Sequence, residues 1–176
     1  MTADEKIAEA EYNLTKLKRI ISTKAPEFKF EISNFLSSAN SILSHLLEEY
    51  GTKYGLVLPK IKYLSFVKEA NRTKNAQAIN FIDWENIEYK RIKNDQRFGF
   101  LIDKRNINIH HSSVGPTAFR AISKTFKAGN SQPIDLNLSK GLAYFSENQQ
   151  QDVRTVCYLF LNSLRKMIQE AHSRFP

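Results

Sequence analysis

The chain reads as a mainly α protein: an antiparallel up-and-down bundle of four to five helices, with a small β-hairpin before the C-terminal helix. Three observations lead there. Apolar residues recur at spacings of three and four through the first fifty residues and again through the last twenty-five. At Ile134, Leu136 and Leu138 the period switches to two, with Asp135, Asn137 and Ser139 between. The link between the first two helical stretches is short, which favours an antiparallel pair. With 176 residues, 41% of them hydrophobic and 25% charged, the chain suits one soluble domain, taken as 1–176.

The first helix opens on Thr2-Ala3-Asp4-Glu5, which has the form of a capping box. Ile7, Ala10, Leu14, Leu17 and Ile21 carry it to about Ser22. Pro26 suits the first turn of a second helix. Ile32, Phe35, Leu36, Ala39, Ile42, Leu43, Leu46 and Leu47 make a broad apolar face there, and Gly51 is read as its end. His45, within this helix, reads as a structural or solvated histidine; Glu31 and Ser33 are polar groups on the same helix.

Gly51 to Lys60 reads as a loop, because Gly51, Gly55 and Pro59 break regular structure. Ile61 to Ala70 has poor periodicity and is either a short helix or irregular. A third long helix runs from about Lys74 to Lys93 on Ala78, Ile79, Phe81, Ile82, Trp84, Tyr89 and Ile92. Trp84 and Tyr89 are read as core aromatics, although such rings also stack on bases. Phe119 to Phe126, the turn residues Gly129-Asn130-Ser131, and the alternating run at Ile134 predict a hairpin over about 117–145, with Leu142 to Phe145 continuing it. Asp152 to Arg174 closes the chain as a helix whose stripe includes Val153, Val156, Cys157, Phe160, Leu161, Leu164, Met167, Ile168 and Ala171. Cys157 lies mid-stripe and reads as a small buried hydrophobe.

Composition narrows the function. Cys157 is the single cysteine, so neither an intrachain disulfide nor a cysteine zinc cluster can form. The chain has no apolar run long enough to span a bilayer and no signal-peptide core, and a cytoplasmic location is expected. The net charge of +8 favours a polyanionic partner, since neutralised phosphates release counterions. Walker A, G-x-S-x-G, H-E-x-x-H and dinucleotide fingerprints are absent. No cofactor and no metal site is expected.

The stretch from Asn94 to His111, NDQRFGFLIDKRNINIHH, is the most informative. It is read as one helix, with Asn94 or Asp95 as N-cap and Ser112, Ser113, Gly115 and Pro116 as its stop. At about 100° per residue, Phe98, Leu101, Ile102 and Ile109 share one side, and Arg105 falls inside that stripe. Asn106 and His110, spaced i to i+4, share the next seam with Asp103 beside them. Phe100 and Ile107 form a second apolar strip. A guanidinium on an apolar side needs a carboxylate, a carbonyl or an anionic ligand near it.

Arg105, the Asn106 directly after it, and His110 late in a helix resemble the signature of HEPN domains. The similarity extends upstream through Phe81-Ile82-Asp83-Trp84 and Lys93-Asn94-Asp95, and downstream through a β-like segment to a long closing helix. The resemblance implies a helical bundle, and in many members a metal-independent endoribonuclease that acts as a homodimer. It implies that Arg105 and His110 are catalytic and that Asn106 orients the phosphate or the imidazole. His111 directly follows, satisfies an equally acceptable spacing, and is the alternate histidine.

Those residue types suit RNA cleavage. The 2′-hydroxyl attacks the adjacent phosphate, a base takes its proton, and an acid protonates the leaving 5′-oxygen. Histidine titrates near working pH, and a planar guanidinium matches two oxygens of the developing phosphorane. The strip of Phe100 and Ile107 fits a dimer surface. The leading expectation is therefore a ribonuclease of a toxin or defence system, with RNA and an antitoxin protein as partners and no membrane. The rivals are a non-catalytic bundle of the same kind that binds RNA, a nucleotide or a protein, and a purely structural helical oligomer.

Overall fold

The capping box expected at the N-terminus is formed. Thr2 N–H donates to Glu5 Oε2 (2.7 Å), and Glu5 N–H donates to Thr2 Oγ1 (3.2 Å). It opens α1 (Ala3–Arg19) in a computed structural model that describes residues 2–23, 25–58, 62–102, 142–145 and 147–176. Four further helices follow: α2 (Pro26–Lys53), α3 (Tyr63–Thr73), α4 (Ala76–Lys93) and α5 (Val153–Arg174). A two-stranded antiparallel hairpin, β1 (Tyr144–Phe145) and β2 (Asn148–Asp152), precedes α5. The described part is thus mainly helical with one small hairpin before the last helix.

Hydrogen bonds and ion pairs give the helix directions. Asn13 Nδ2 donates to Ser38 Oγ (3.2 Å), and Ala3 N–H donates to Glu49 Oε2 (3.5 Å), so α1 and α2 run antiparallel. Arg154, at the start of α5, reaches the end of α1, while His172, near its finish, lies 3.6 Å from Asp4. Hence α5 also opposes α1. Between α4 and α5, Phe81 and Trp84 pack on Phe175, and beyond α4 Phe98 packs on Phe160. Apolar residues of all five helices and of the hairpin belong to one buried cluster.

Several boundaries differ from the sequence reading. Ile20 is already extended and Ile21 is 49% exposed, so α1 stops before Ser22. Gly51 lies inside α2 rather than at its end: a Cβ there would sit 2.6 Å from Leu58 Cδ1. The helix ends instead at a Schellman turn on Gly55 (φ 66°), where Leu56 N–H donates to the Gly51 carbonyl (2.8 Å) and Gly55 N–H to the Thr52 carbonyl (3.0 Å). The stretch left open at Ile61 to Ala70 is helical from Tyr63 and supplies most of α3, which runs on to Thr73. Lys74, left-handed at φ 52°, ends that helix, and Asn75 N-caps α4 by accepting from Ala78 N–H (3.1 Å).

Only the end of the expected hairpin falls on described residues. The strands expected around Phe119–Phe126 and Ile134–Leu138 lie outside the described residues. Tyr144 and Phe145 form a strand, as the reading of Leu142 to Phe145 allows, but their partner is the polar run Asn148–Asp152. That run has no alternating apolar pattern to announce it. Asn148 holds it in place instead, donating to the Arg97 carbonyl (3.0 Å) and accepting from Gln150 N–H (3.1 Å).

Candidate functional site

The expected helix Asn94–His111 is not formed in its described part. Asn94 is the C-cap of α4, Gly99–Leu101 is a single 3₁₀ turn, and Ile102 is extended. Asp95 explains the break: its carboxylate accepts from Arg97 N–H (3.0 Å), a local bond that competes with helix formation. Gly99 then lets the backbone fold back against the Lys93 carbonyl, where a Cβ would collide. Phe98, Leu101 and Ile102 are buried as expected, though on a turn rather than on a helix face. Arg105, Asn106, His110 and the alternate His111 lie outside the described residues, as do Asp103, Ile107 and Ile109.

Ile102, the last described residue before them, borders a cleft of about 570 Å³ lined also by Ser33, Ser37, Asn40, Ser41, Leu43 and Ser44. Its hydroxyls come from one face of α2, because positions 33, 37, 40, 41 and 44 repeat at helical spacing. Asn40 fastens the rim: its Nδ2 donates to the Leu101 carbonyl (3.1 Å). Ser41 Oγ donates to the Ser38 carbonyl (2.7 Å), the back-bond open to a helical serine. Among the described residues no ionisable side chain lines this cleft; the hydroxyls and the amide offer hydrogen bonds. The serine stripe was visible in the sequence as hydroxyls at i, i+4 and i+8 beside the apolar face of α2, a signal passed over there.

The other polar residues of α2 fall elsewhere. Ser33 does line the cleft, whereas Glu31 lies 3.7 Å from Lys16 of α1. His45 Nδ1 lies 3.3 Å from Glu48 Oε2, a pair along the helix consistent with a structural histidine. At the far end of α5, His172 Nε2 lies 3.2 Å from Glu49 Oε1, and Arg165 pairs with Glu11. No group of three or more potential metal ligands is assembled among the described residues.

Arg154 is a buried guanidinium that sequence reasoning missed. Arg154 is 9% exposed and lies over the Phe28 ring, 4.9 Å from its centroid. Its Nη2 donates to the Ile20 carbonyl (2.8 Å), its Nε to the Leu17 carbonyl (3.4 Å) and its Nη1 to Asp152 Oδ2 (3.1 Å). Two carbonyls at the C-terminus of α1 and one carboxylate therefore share a single cation. This is where the helix dipole is negative.

Burial perturbs further groups, among them Glu85, Tyr50 and Cys157. Glu85 is 3% exposed and its Oε2 has no hydrogen-bond partner among the described residues; desolvation pushes its carboxyl up to about 7. Tyr50, stacked on Phe81 at 4.2 Å, is pushed up to about 12, by burial first and by Glu49 second. The Cys157 thiol is fully buried and held well above its ordinary range, which suits the small hydrophobe expected and no nucleophile. Trp84 is buried against Phe81 and Phe175, a core aromatic as read.

No family model, no curated protein and no solved structure matches the chain.

Proposed function

We propose that the chain is a metal-independent endoribonuclease of the HEPN kind, an up-and-down bundle working as a cytoplasmic homodimer in a toxin or defence system. The constellation Arg105, Asn106 and His110, with His111 as the alternate, carries this reading. The mainly helical architecture with a hairpin before the closing helix, and the net charge of +8, agree with it. Arg105 stabilises the phosphorane, His110 moves the proton, and Asn106 orients the phosphate or the imidazole. The hydroxyl-lined cleft beside Ile102 supplies hydrogen bonds without charge. An antitoxin protein would restrain such an enzyme.

The test uses purified protein and labelled RNA. Cleavage should survive EDTA and leave a 2′,3′-cyclic phosphate, because the nucleophile belongs to the substrate. His110→Ala and Arg105→Ala should each remove nearly all activity, and the double variant should be little worse than either, since members of one catalytic unit are strongly non-additive. If His111→Ala is the inactive variant, the working histidine is His111. A second reading is a non-catalytic bundle that binds RNA, a nucleotide or a partner protein. One observation favours it: the described residues that line the cleft are hydroxyls, an amide and apolar groups, with no acid or base among them. A dimeric, inhibitor-free protein that leaves RNA intact selects that reading.

A further inference from the structure

The outer faces of α1 and α5 form a basic band set with exposed aromatic rings. Tyr12 is 62% exposed and Tyr158 46% exposed, although both lie on helices whose other faces build the core. Lys16 Nζ lies 4.5 Å from the Tyr12 centroid, and Lys18 Nζ lies 4.7 Å from the Tyr158 centroid. The second pair bridges the two helices. Arg19 extends the band on α1 and Lys166 extends it on α5, both exposed. Lys18, Arg19 and Lys166 have no carboxylate partner among the described residues. Lys16 is 3.7 Å from Glu31, and the neighbouring Arg165 is paired with Glu11; of the unpaired cations, Lys18 and Arg19 lie at the end of α1 and Lys166 in the second half of α5.

A plain solvated surface accounts for the lysines, which also compensate the C-terminal dipole of α1. It does not account for two large rings kept in water beside them, one from each helix. Bases present a π-face to such rings at any sequence, while the intervening phosphates pair with the cations. Duplex fits less well, because its bases are already stacked on each other.

We propose that this α1–α5 face is a platform for single-stranded RNA, with Tyr12 and Tyr158 stacking bases and Lys16, Lys18, Arg19 and Lys166 neutralising phosphates. It deepens the RNA reading above by naming where the strand lies, and it rests on that reading only for the identity of the polyanion. Neither ring is among the residues assigned to cleavage.

Binding is measured by fluorescence anisotropy with a 2′-O-methyl single-stranded RNA of about twelve nucleotides, which the proposed cleavage chemistry cannot cut. Tyr12→Ala and Tyr158→Ala should each weaken binding by about 5- to 100-fold, and Tyr158→Phe should bind as the wild type does. The Lys18→Gln, Arg19→Gln double variant should flatten the slope of log Kd against log salt by about 1.4. Unchanged melting temperatures would place these effects at the surface. The platform is overturned if the wild type binds no RNA, if both alanine variants bind as the wild type does, or if they weaken heparin binding equally, which indicates charge alone. A platform that passes while unmodified RNA stays intact sinks the nuclease but not the platform. Cleavage that proceeds unchanged in the tyrosine variants, with binding unchanged, does the reverse.

Discussion

Arg154 illustrates at the scale of one residue how burial turns a charge into a fastener. The hydrogen-bond partners described above belong to the end of α1 and to the β2–α5 junction, segments far apart in the chain. Removing its side chain takes a charged donor from the buried end of α1 and the paired cation from Asp152. Arg154→Ala should therefore cost on the order of 3–5 kcal/mol in denaturant unfolding. Lysine keeps the charge but cannot reach carbonyls and carboxylate together, so Arg154→Lys should recover only part of that loss. Glu85 works in the opposite direction. Its unfolded carboxyl titrates near 4.5 and its folded one near 7, so between those values the folded chain keeps a proton that the unfolded chain has lost. Stability should fall as pH rises through that window and level off above it. Glu85→Gln should abolish this slope and stabilise the protein at pH 8 by up to about 3 kcal/mol, with little change at pH 4. Urea unfolding across the pH range checks it; a wild-type profile flat from pH 4 to 8 would contradict the burial argument.

Among the elements, the passage from α4 to the 3₁₀ turn decides how the chain approaches the cleft. Asp95 turns the backbone, Gly99 passes close to the Lys93 carbonyl, and Asn40 holds the Leu101 carbonyl. A methyl group at position 99 must displace backbone rather than a flexible side chain. Gly99→Ala should accordingly destabilise by about 1–3 kcal/mol, read as a lower urea midpoint. An unchanged midpoint would mean that the turn yields freely. Phe100 belongs to this passage too. It is half-buried and meets the Phe145 ring edge-on at 5.4 Å, so part of the expected dimer strip packs within its own chain.

For the whole molecule, association is the open question that the proposed chemistry raises, since each chain supplies one Arg105–His110 set. Ile107, the other apolar residue of the expected strip, is the sharper probe of the proposed interface, because Phe100 also packs on the hairpin. Ile107→Glu should split the homodimer without unfolding it, because a charge buried between subunits is costly. Light scattering at micromolar concentration reads the result, and a wild-type monomer there would remove the basis for a shared active site. Phe100→Glu should instead lower the stability of the single chain. No helix among the described residues is long and apolar enough to cross a membrane.

Local chemistry was legible in the sequence wherever neighbours along the chain decide the outcome. The capping box at Thr2, the apolar faces of α1, α2 and α5, the burial of Cys157 and the core role of Trp84 all follow from residue type and helical spacing. The candidate catalytic set Arg105, Asn106, His110 and His111 was likewise a matter of pattern, and those residues lie outside the described ones. What pattern could not supply was anything settled by partners distant in the chain. Phe98, Leu101 and Ile102 are apolar at a spacing that suits a helix or a tight turn equally, and Asp95, Gly99 and Asn40 select the turn. The strand Asn148–Asp152 carries no apolar alternation and exists through pairing with Tyr144–Phe145 and through Asn148. Arg154 reads as an ordinary surface cation near a helix start. Only the convergence of α1, α2 and α5 surrounds it with carbonyls and removes it from water.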